Sequence, residues 1–285
     1  MNRRRFLTLA ACALATPAAA RAETAWQGRA FGADCRIALS GPRRAADRAL
    51  AALPALIAGI EAQFSLHRPS ALTTLNATGR LDAPTPAFQA LMRLADSVHH
   101  LTGGAFDPTV QPLWQAAARG QPPDAPTGWH RVTRGDPILL QPGMALTFNG
   151  IAQGFAADAV RALLRAHGFD HALIDMGEIA ALGGPFRIAM ADPAHGPLAS
   201  RSLTGGALAT SSPWATLVGG QPHIRHPEGH PPLWSTVAVL ADTAALADAL
   251  STALVFLPRD RIAALRCPGL IRTTLVDPAG NLTTV

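Results

Sequence analysis

Asp248 and Thr252 stand one helical turn apart in a run, 240–256 (LADTAALADALSTALVF), that is otherwise almost wholly apolar. A helix stacks residues four apart on one face, so the carboxylate and the hydroxyl offer two oxygen ligands from one buried surface. Taken alone, the pair reads first as ordinary polarity on a helix face. Three other stretches bear on chemistry. The segment 147–154 (TFNGIAQG) sets small residues at a helix start, where open N–H groups and the helix dipole favour an anion. Close helix packing is the competing reason for its glycines. The turn 103–109 (GGAFDPT) lets backbone approach a ligand and presents Asp107, or is simply a helix stop followed by a proline turn. The segment 223–227 (HIRHP) places His223 and His226 on a loop rich in Gly and Pro, where an exposed histidine pair is more often incidental than catalytic.

The elements that must carry these residues follow from periodicity. A short β-branched run, 236–240 (TVAVL), leads into the helix bearing Asp248, with Asp242 or Thr243 placed to cap its first turn. Helices are expected over 43–64, kinked at Pro54, over 84–101, stopped by Gly103 and Gly104, and over 151–167. His99 and His100 fall where they serve a helix terminus. A strand interrupted at Gly32 is expected over 26–39, a polar connection over 65–80, and short strands at 138–140, 172–176, 186–190, 207–210, 214–218 and 272–276. Hairpin-like strands with a few long helices read as α+β.

Composition bounds the rest. The 285 residues are 48% hydrophobic, ample for a core, and every one of the 24 basic residues is arginine. Arg3, Arg4 and Arg5 followed by Phe6 and Leu7, an apolar stretch, and Ala20-Arg21-Ala22 form a twin-arginine export signal, with cleavage before Glu23. The expected division is a signal peptide at 1–22 and one domain at 23–285, resident in the periplasm. Too few apolar residues precede Cys12 for a lipid-attachment box. Four of the basic residues and none of the 19 acidic ones precede the cleavage point, leaving 20 against 19. So balanced a chain gives no reason to expect nucleic acid, or a membrane except through a partner. Cys35 and Cys267 remain, either paired or as two buried thiols.

In this order the stretches resemble the FAD:protein FMN transferase family, the ApbE-like flavin transferases. The resemblance runs from Phe31-Gly32-Ala33 to the last long helix. Its most specific pieces are GGAFDPTVQPLW at 103–114, GIAQGFAADAV at 150–160, LATSS at 208–212 and ADALSTAL at 247–254, supported by FSLHRPSALTTLN at 64–76 and GWHRV at 128–132. It implies a T-fold-like arrangement of antiparallel sheets packed with helices. It further implies magnesium-dependent cleavage of FAD, transfer of FMN to a Thr or Ser hydroxyl of a partner protein, and release of AMP. The acceptor would be an electron-transfer subunit.

By the same resemblance Gly150 (main-chain carbonyl), Asp248 and Thr252 hold the metal, a hard-oxygen set suited to magnesium. Asp248 and His223 are the catalytic residues, with His223 taking the acceptor proton. Phe31, His67, Ala105, Phe106, Asp107, Thr147 and Gln153 contact FAD. The chain departs from the family where Thr147 replaces an Asp, Gln153 a Lys, His67 a Tyr and His226 an Asp, and where a Gly-Gly-Asp turn is shortened to Gly177-Glu178. Thr147 and Gln153 motivate a non-catalytic flavin-binding carrier or flavoprotein maturation chaperone as the alternative. A secreted hydrolase using Ser211 or Ser212 is disfavoured, because no nucleophile elbow surrounds either serine.

Overall fold

The computed structural model describes residues 23–122 and 126–285; the segment expected to be an export signal and Cys12 lie outside them. Strands β1 (Glu23–Ala30) and β2 (Ala33–Ser40) are followed by helices α1 (Arg43–Ala51), α2 (Leu53–Phe64) and α3 (Ala71–Thr78). Then come β3 (Arg80–Leu81), α4 (Pro86–Leu101), α5 (Gln111–Ala118), β4 (Ile138–Leu139) and α6 (Ala152–Ala166). Five strands follow: β5 (Ala172–Asp175), β6 (Ile179–Leu182), β7 (Phe186–Asp192), β8 (Gly196–Leu203) and β9 (Ala207–Ser211). A two-residue hairpin, β10 (Leu217–Val218) and β11 (Gln221–Pro222), precedes β12 (Thr236–Ala241), α7 (Ala244–Leu254), α8 (Arg259–Ala264), β13 (Leu270–Val276) and β14 (Leu282–Thr284).

Eight strands form one sheet in the order β1-β2-β5-β6-β9-β12-β13-β14, with every pairing antiparallel. The α+β expectation holds, and the sheet explains why its central strands read as continuous apolar runs. One face, through Ile37, Ile174, Ala180, Val237 and Val239, packs against the helices. The other, through Leu173, Ile179, Leu208 and Ala238, is covered by Ile188, Met190 and Leu203 of the β7–β8 hairpin. A strand covered on both sides has no solvent face to make polar.

Several sequence expectations change. The strand interrupted at Gly32 is a hairpin, with Phe31 (φ 51°) and Gly32 (φ 75°) both left-handed at its turn. Two positive φ values match the right-handed twist of the flanking strands. The helix over 43–64 divides at Ala52, and Pro54 falls in the first turn of α2, where its missing N–H costs nothing. The connection expected over 65–80 contains α3, started by a reciprocal Ser70–Thr73 capping box and ended at Gly79 in the left-handed conformation. Residues 214–218 form a short 3₁₀ turn and the two-residue strand β10 in place of one strand. Cys267 carries a free thiol, so the pairing left open by the sequence is not made. Among the described residues no helix is long and apolar enough to cross a membrane.

Candidate active site

A cavity of about 610 Å³ opens between the helical layer and the sheet. Phe31, Ala105, Phe106, Asp107, Thr147, Gly150, Gln153, His223, Asp248 and Thr252 all line it, although they come from five separate parts of the chain. His67 does not; it is exposed in the bend after α2, its amide donating to Ser65 Oγ at 3.1 Å.

Tight crossings bring the oxygen donors together. A Cβ on Gly150 would sit 2.7 Å from Thr252 Oγ1, so only glycine lets that backbone lie against the hydroxyl. Gly154 is equally constrained, because a Cβ there would strike the Ala244 carbonyl at the crossing of α6 and α7. Its amide donates to Asp248 Oδ2 at 3.0 Å, a buried contact that caps the start of α6 from α7. In return Asp158 on α6 accepts the Ala244 and Ala245 amides at 3.0 and 2.9 Å, capping α7. Burial raises the Asp158 pKa against those bonds and nearby Arg161. Both sequence readings of 147–154 therefore hold in part: its glycines serve packing, and one helix-start N–H is taken by a carboxylate. Ser211 Oγ lies 2.8 Å from Ser251 Oγ and 3.5 Å from Thr252 Oγ1, adding hydroxyls beside the pair. Carboxylate, hydroxyls and a backbone cradle that a Cβ would fill make a hard-oxygen donor set that fits magnesium.

The turn bearing Asp107 is the helix stop and proline turn that the sequence allowed, after α4 and into Pro108–Val110, and its carboxylate is engaged within the protein. Asp107 Oδ1 accepts the Thr109 amide and hydroxyl at 2.8 and 2.6 Å, and Oδ2 accepts the Trp129 amide at 3.1 Å. That carboxylate organises the cavity wall, and buried Trp129 anchors it, its indole N–H donating to Asp96 at 2.8 Å. Thr147 is placed by two clamps: its own amide donates to the Pro108 carbonyl at 2.8 Å, and the Asn76 side chain grips the Leu146 amide and carbonyl at 2.7 and 2.8 Å. Also in the lining, His223 Nδ1 lies 2.9 Å from the Pro213 carbonyl and 3.2 Å from that of Thr216. Carbonyls only accept, so Nδ1 bears the proton and Nε2 is the basic ring nitrogen.

A sequence model of the ApbE family matches residues 31–268. The chain belongs to the ApbE family. The FAD:protein FMN transferase of Treponema pallidum is 33% identical over 181 residues, covering 54% of this chain and 50% of that one. The chain thus aligns to about half the length of this curated relative. Among solved structures, the flavin transferase ApbE of Vibrio cholerae superposes with a TM-score of 0.79 at 20% identity, covering 93% of this chain and 97% of that one. The ApbE protein of Thermotoga maritima gives 0.78 at 24% identity, covering 92% and 96%. The apo flavinyl transferase ApbE of Pseudomonas stutzeri gives 0.78 at 24%, covering 93% and 94%.

Within this ApbE chain the positions that depart from the family pattern have defined surroundings, though nothing in the structure explains the replacement at Gln153. The Thr147 hydroxyl accepts the Asn149 amide at 3.2 Å, closing a turn beside Gly150. Gln153 is buried on the cavity wall. His226 stacks on His230 at 4.4 Å and meets Phe256 edge-on at 5.1 Å; burial, then the neighbouring His230, lowers its pKa. Glu178, in the shortened turn, is buried on the cavity wall and accepts the Thr210 amide at 3.2 Å. Sequence reasoning passed over Glu178 and Arg225 as site residues. Glu178 stands in a turn read only for its difference from the family pattern, and Arg225 stands between two histidines that drew the reading of their stretch.

Proposed function

We propose that this protein is a magnesium-dependent FAD:protein FMN transferase of the periplasm, which moves FMN onto a Thr or Ser hydroxyl of an electron-transfer partner and releases AMP. The observation that carries the reading is the meeting of Gly150, Asp248 and Thr252 on the wall of a cavity that also presents His223. The relative from Treponema pallidum bears the name of this activity. Phe31, Ala105 and Phe106 line a volume suited to a flat flavin ring, and the Phe31 amide is fixed by Glu61 Oε1 at 2.9 Å. Asp248, Thr252 and the Gly150 carbonyl would hold magnesium, which supplies charge neutralisation at the phosphoanhydride. His223 Nε2 receives the acceptor hydroxyl proton as that oxygen attacks the flavin-side phosphorus. The bond to the second phosphate breaks, and AMP leaves with its electron pair. Asp248 also holds the start of α6 in place, so one carboxylate couples the donor set to the helix crossing.

The test is direct. The mature protein, FAD, magnesium and a candidate periplasmic acceptor are incubated, and covalent flavin fluorescence is read on a denaturing gel. Labelled acceptor that disappears when magnesium is chelated is the expected result. FAD binding without labelling of any acceptor would favour the carrier reading that Thr147 and Gln153 motivate.

A further inference from the structure

Arg225 is the one permanently cationic side chain among the described residues lining the cavity. Its Nη2 donates to the Val218 carbonyl at 3.2 Å, which holds the guanidinium against β10. Its Nε is buried and, among the described residues, donates to no acceptor. Burial alone acts on its charge, pushing the pKa down with no acid to hold it up. A partly desolvated guanidinium without a counter-charge is an unfavourable arrangement in a protein taken by itself. The three acids of the cavity do not relieve it. Asp107 is engaged by Thr109 and Trp129, Glu178 by Thr210, and Asp248 by Gly154.

The missing partner is an anion. Planar N–H donors in a fixed fork match the paired oxygens of a phosphate and hold it with direction as well as charge. The hairpin carrying Val218 is itself rigidly seated, since Gly219 (φ 60°) packs its backbone against the Ala117 carbonyl where a Cβ would clash. Gln153, in the same lining, is neutral, so Arg225 supplies the one permanent positive charge among the described lining residues.

We infer that Arg225 is the anion-binding residue of this cavity and receives the phosphate oxygens of a nucleotide pyrophosphate. The inference rests on the flavin-transferase reading for the identity of the nucleotide, but not for the presence of an anion.

Quenching of flavin fluorescence tests it on the mature protein, comparing FAD with riboflavin, which has the same ring and no phosphate. Arg225→Met should weaken FAD about tenfold or more, in keeping with a lost charge-assisted bond, and leave riboflavin affinity unchanged. Arg225→Lys should recover part of the FAD affinity. Equal weakening of both ligands would mean that Arg225 only supports the wall and would overturn the inference, as would unchanged FAD affinity. If the unaltered protein binds no FAD, the flavin reading falls, and thermal unfolding with inorganic pyrophosphate decides the inference. Protection of the unaltered protein but not of Arg225→Met upholds it, and any other pattern overturns it.

Discussion

At the scale of single residues, Asp248 and His223 do work that can be separated by substitution. Asp248 caps α6 through Oδ2 as well as standing in the donor set. An asparagine can still accept the Gly154 amide through its carbonyl oxygen, but it brings no charge to a cation. Asp248→Asn should therefore unfold within about 1 kcal/mol of the unaltered protein, the size of a cap contribution, and lose magnesium-dependent transfer. Urea denaturation and the acceptor-labelling assay read the two effects separately, and retained transfer would remove Asp248 from the metal set. His223 is held by main-chain carbonyls that fix its tautomer. His223→Ala should slow transfer by roughly 10²–10⁴-fold, the range for a positioned general base, while FAD binding persists. A rate lowered only by weaker FAD binding would assign His223 to binding instead.

Among the elements, the pair α6 and α7 is the mechanical centre of the site. Each helix lends a carboxylate to the other's first turn, Asp158 to Ala244 and Ala245, and Asp248 to Gly154. Their approach is limited by Gly154 against the Ala244 carbonyl and, on the cavity lining, by Gly150 against Thr252. Gly154→Ala must push the helices apart, costing about 1–3 kcal/mol as overpacking does. Because the same crossing brings Gly150 to Thr252, activity should fall further than stability alone accounts for. A chemical denaturation curve beside the labelling rate checks this, and a variant as stable as its parent would show that α6 can shift without cost.

For the whole molecule, the β7–β8 hairpin that covers the second face of the sheet is tied to β12 by Asp192. This buried carboxylate accepts the Ser235 and Thr236 hydroxyls, both at 2.6 Å, and the Ala194 and His195 amides at 2.8 and 3.0 Å. Burial opposes its charge, but the four bonds together outweigh it and hold its pKa below the ordinary carboxylate value. The folded state then binds its proton less readily than the unfolded state. That stabilisation is complete above the unfolded value and is lost as pH falls through the folded one. Asp192→Asn should lower stability at neutral pH and flatten its decline in acid. Thermal unfolding measured from pH 7 down to about 3, spanning the carboxylate range, reads the slope, and an unchanged slope would leave Asp192 with no share in acid unfolding.

Local pattern was enough to determine much of this protein. Helical periodicity located α4, α6 and α7 closely, and the β-branched and apolar runs located β5, β9 and β12, because those signals are properties of a few adjacent side chains. Of the eleven residues that the family stretches and the helix pair singled out, ten line the cavity and His67 falls outside. The short strand β6, covered on both faces, and β8 had no clear alternation to betray them, and α3 depended on a capping box inside a polar segment. What Asp107 does was decided only by tertiary structure, since its carboxylate is consumed by Thr109 and by Trp129 from a distant segment. The same holds for Arg225. Its type is plain in the sequence, but its partial burial on a cavity wall, without an acid beside it, exists only once β10, α5 and the loop after β11 have packed together. Charge belongs to the residue, whereas the cost of leaving that charge unpartnered belongs to the fold.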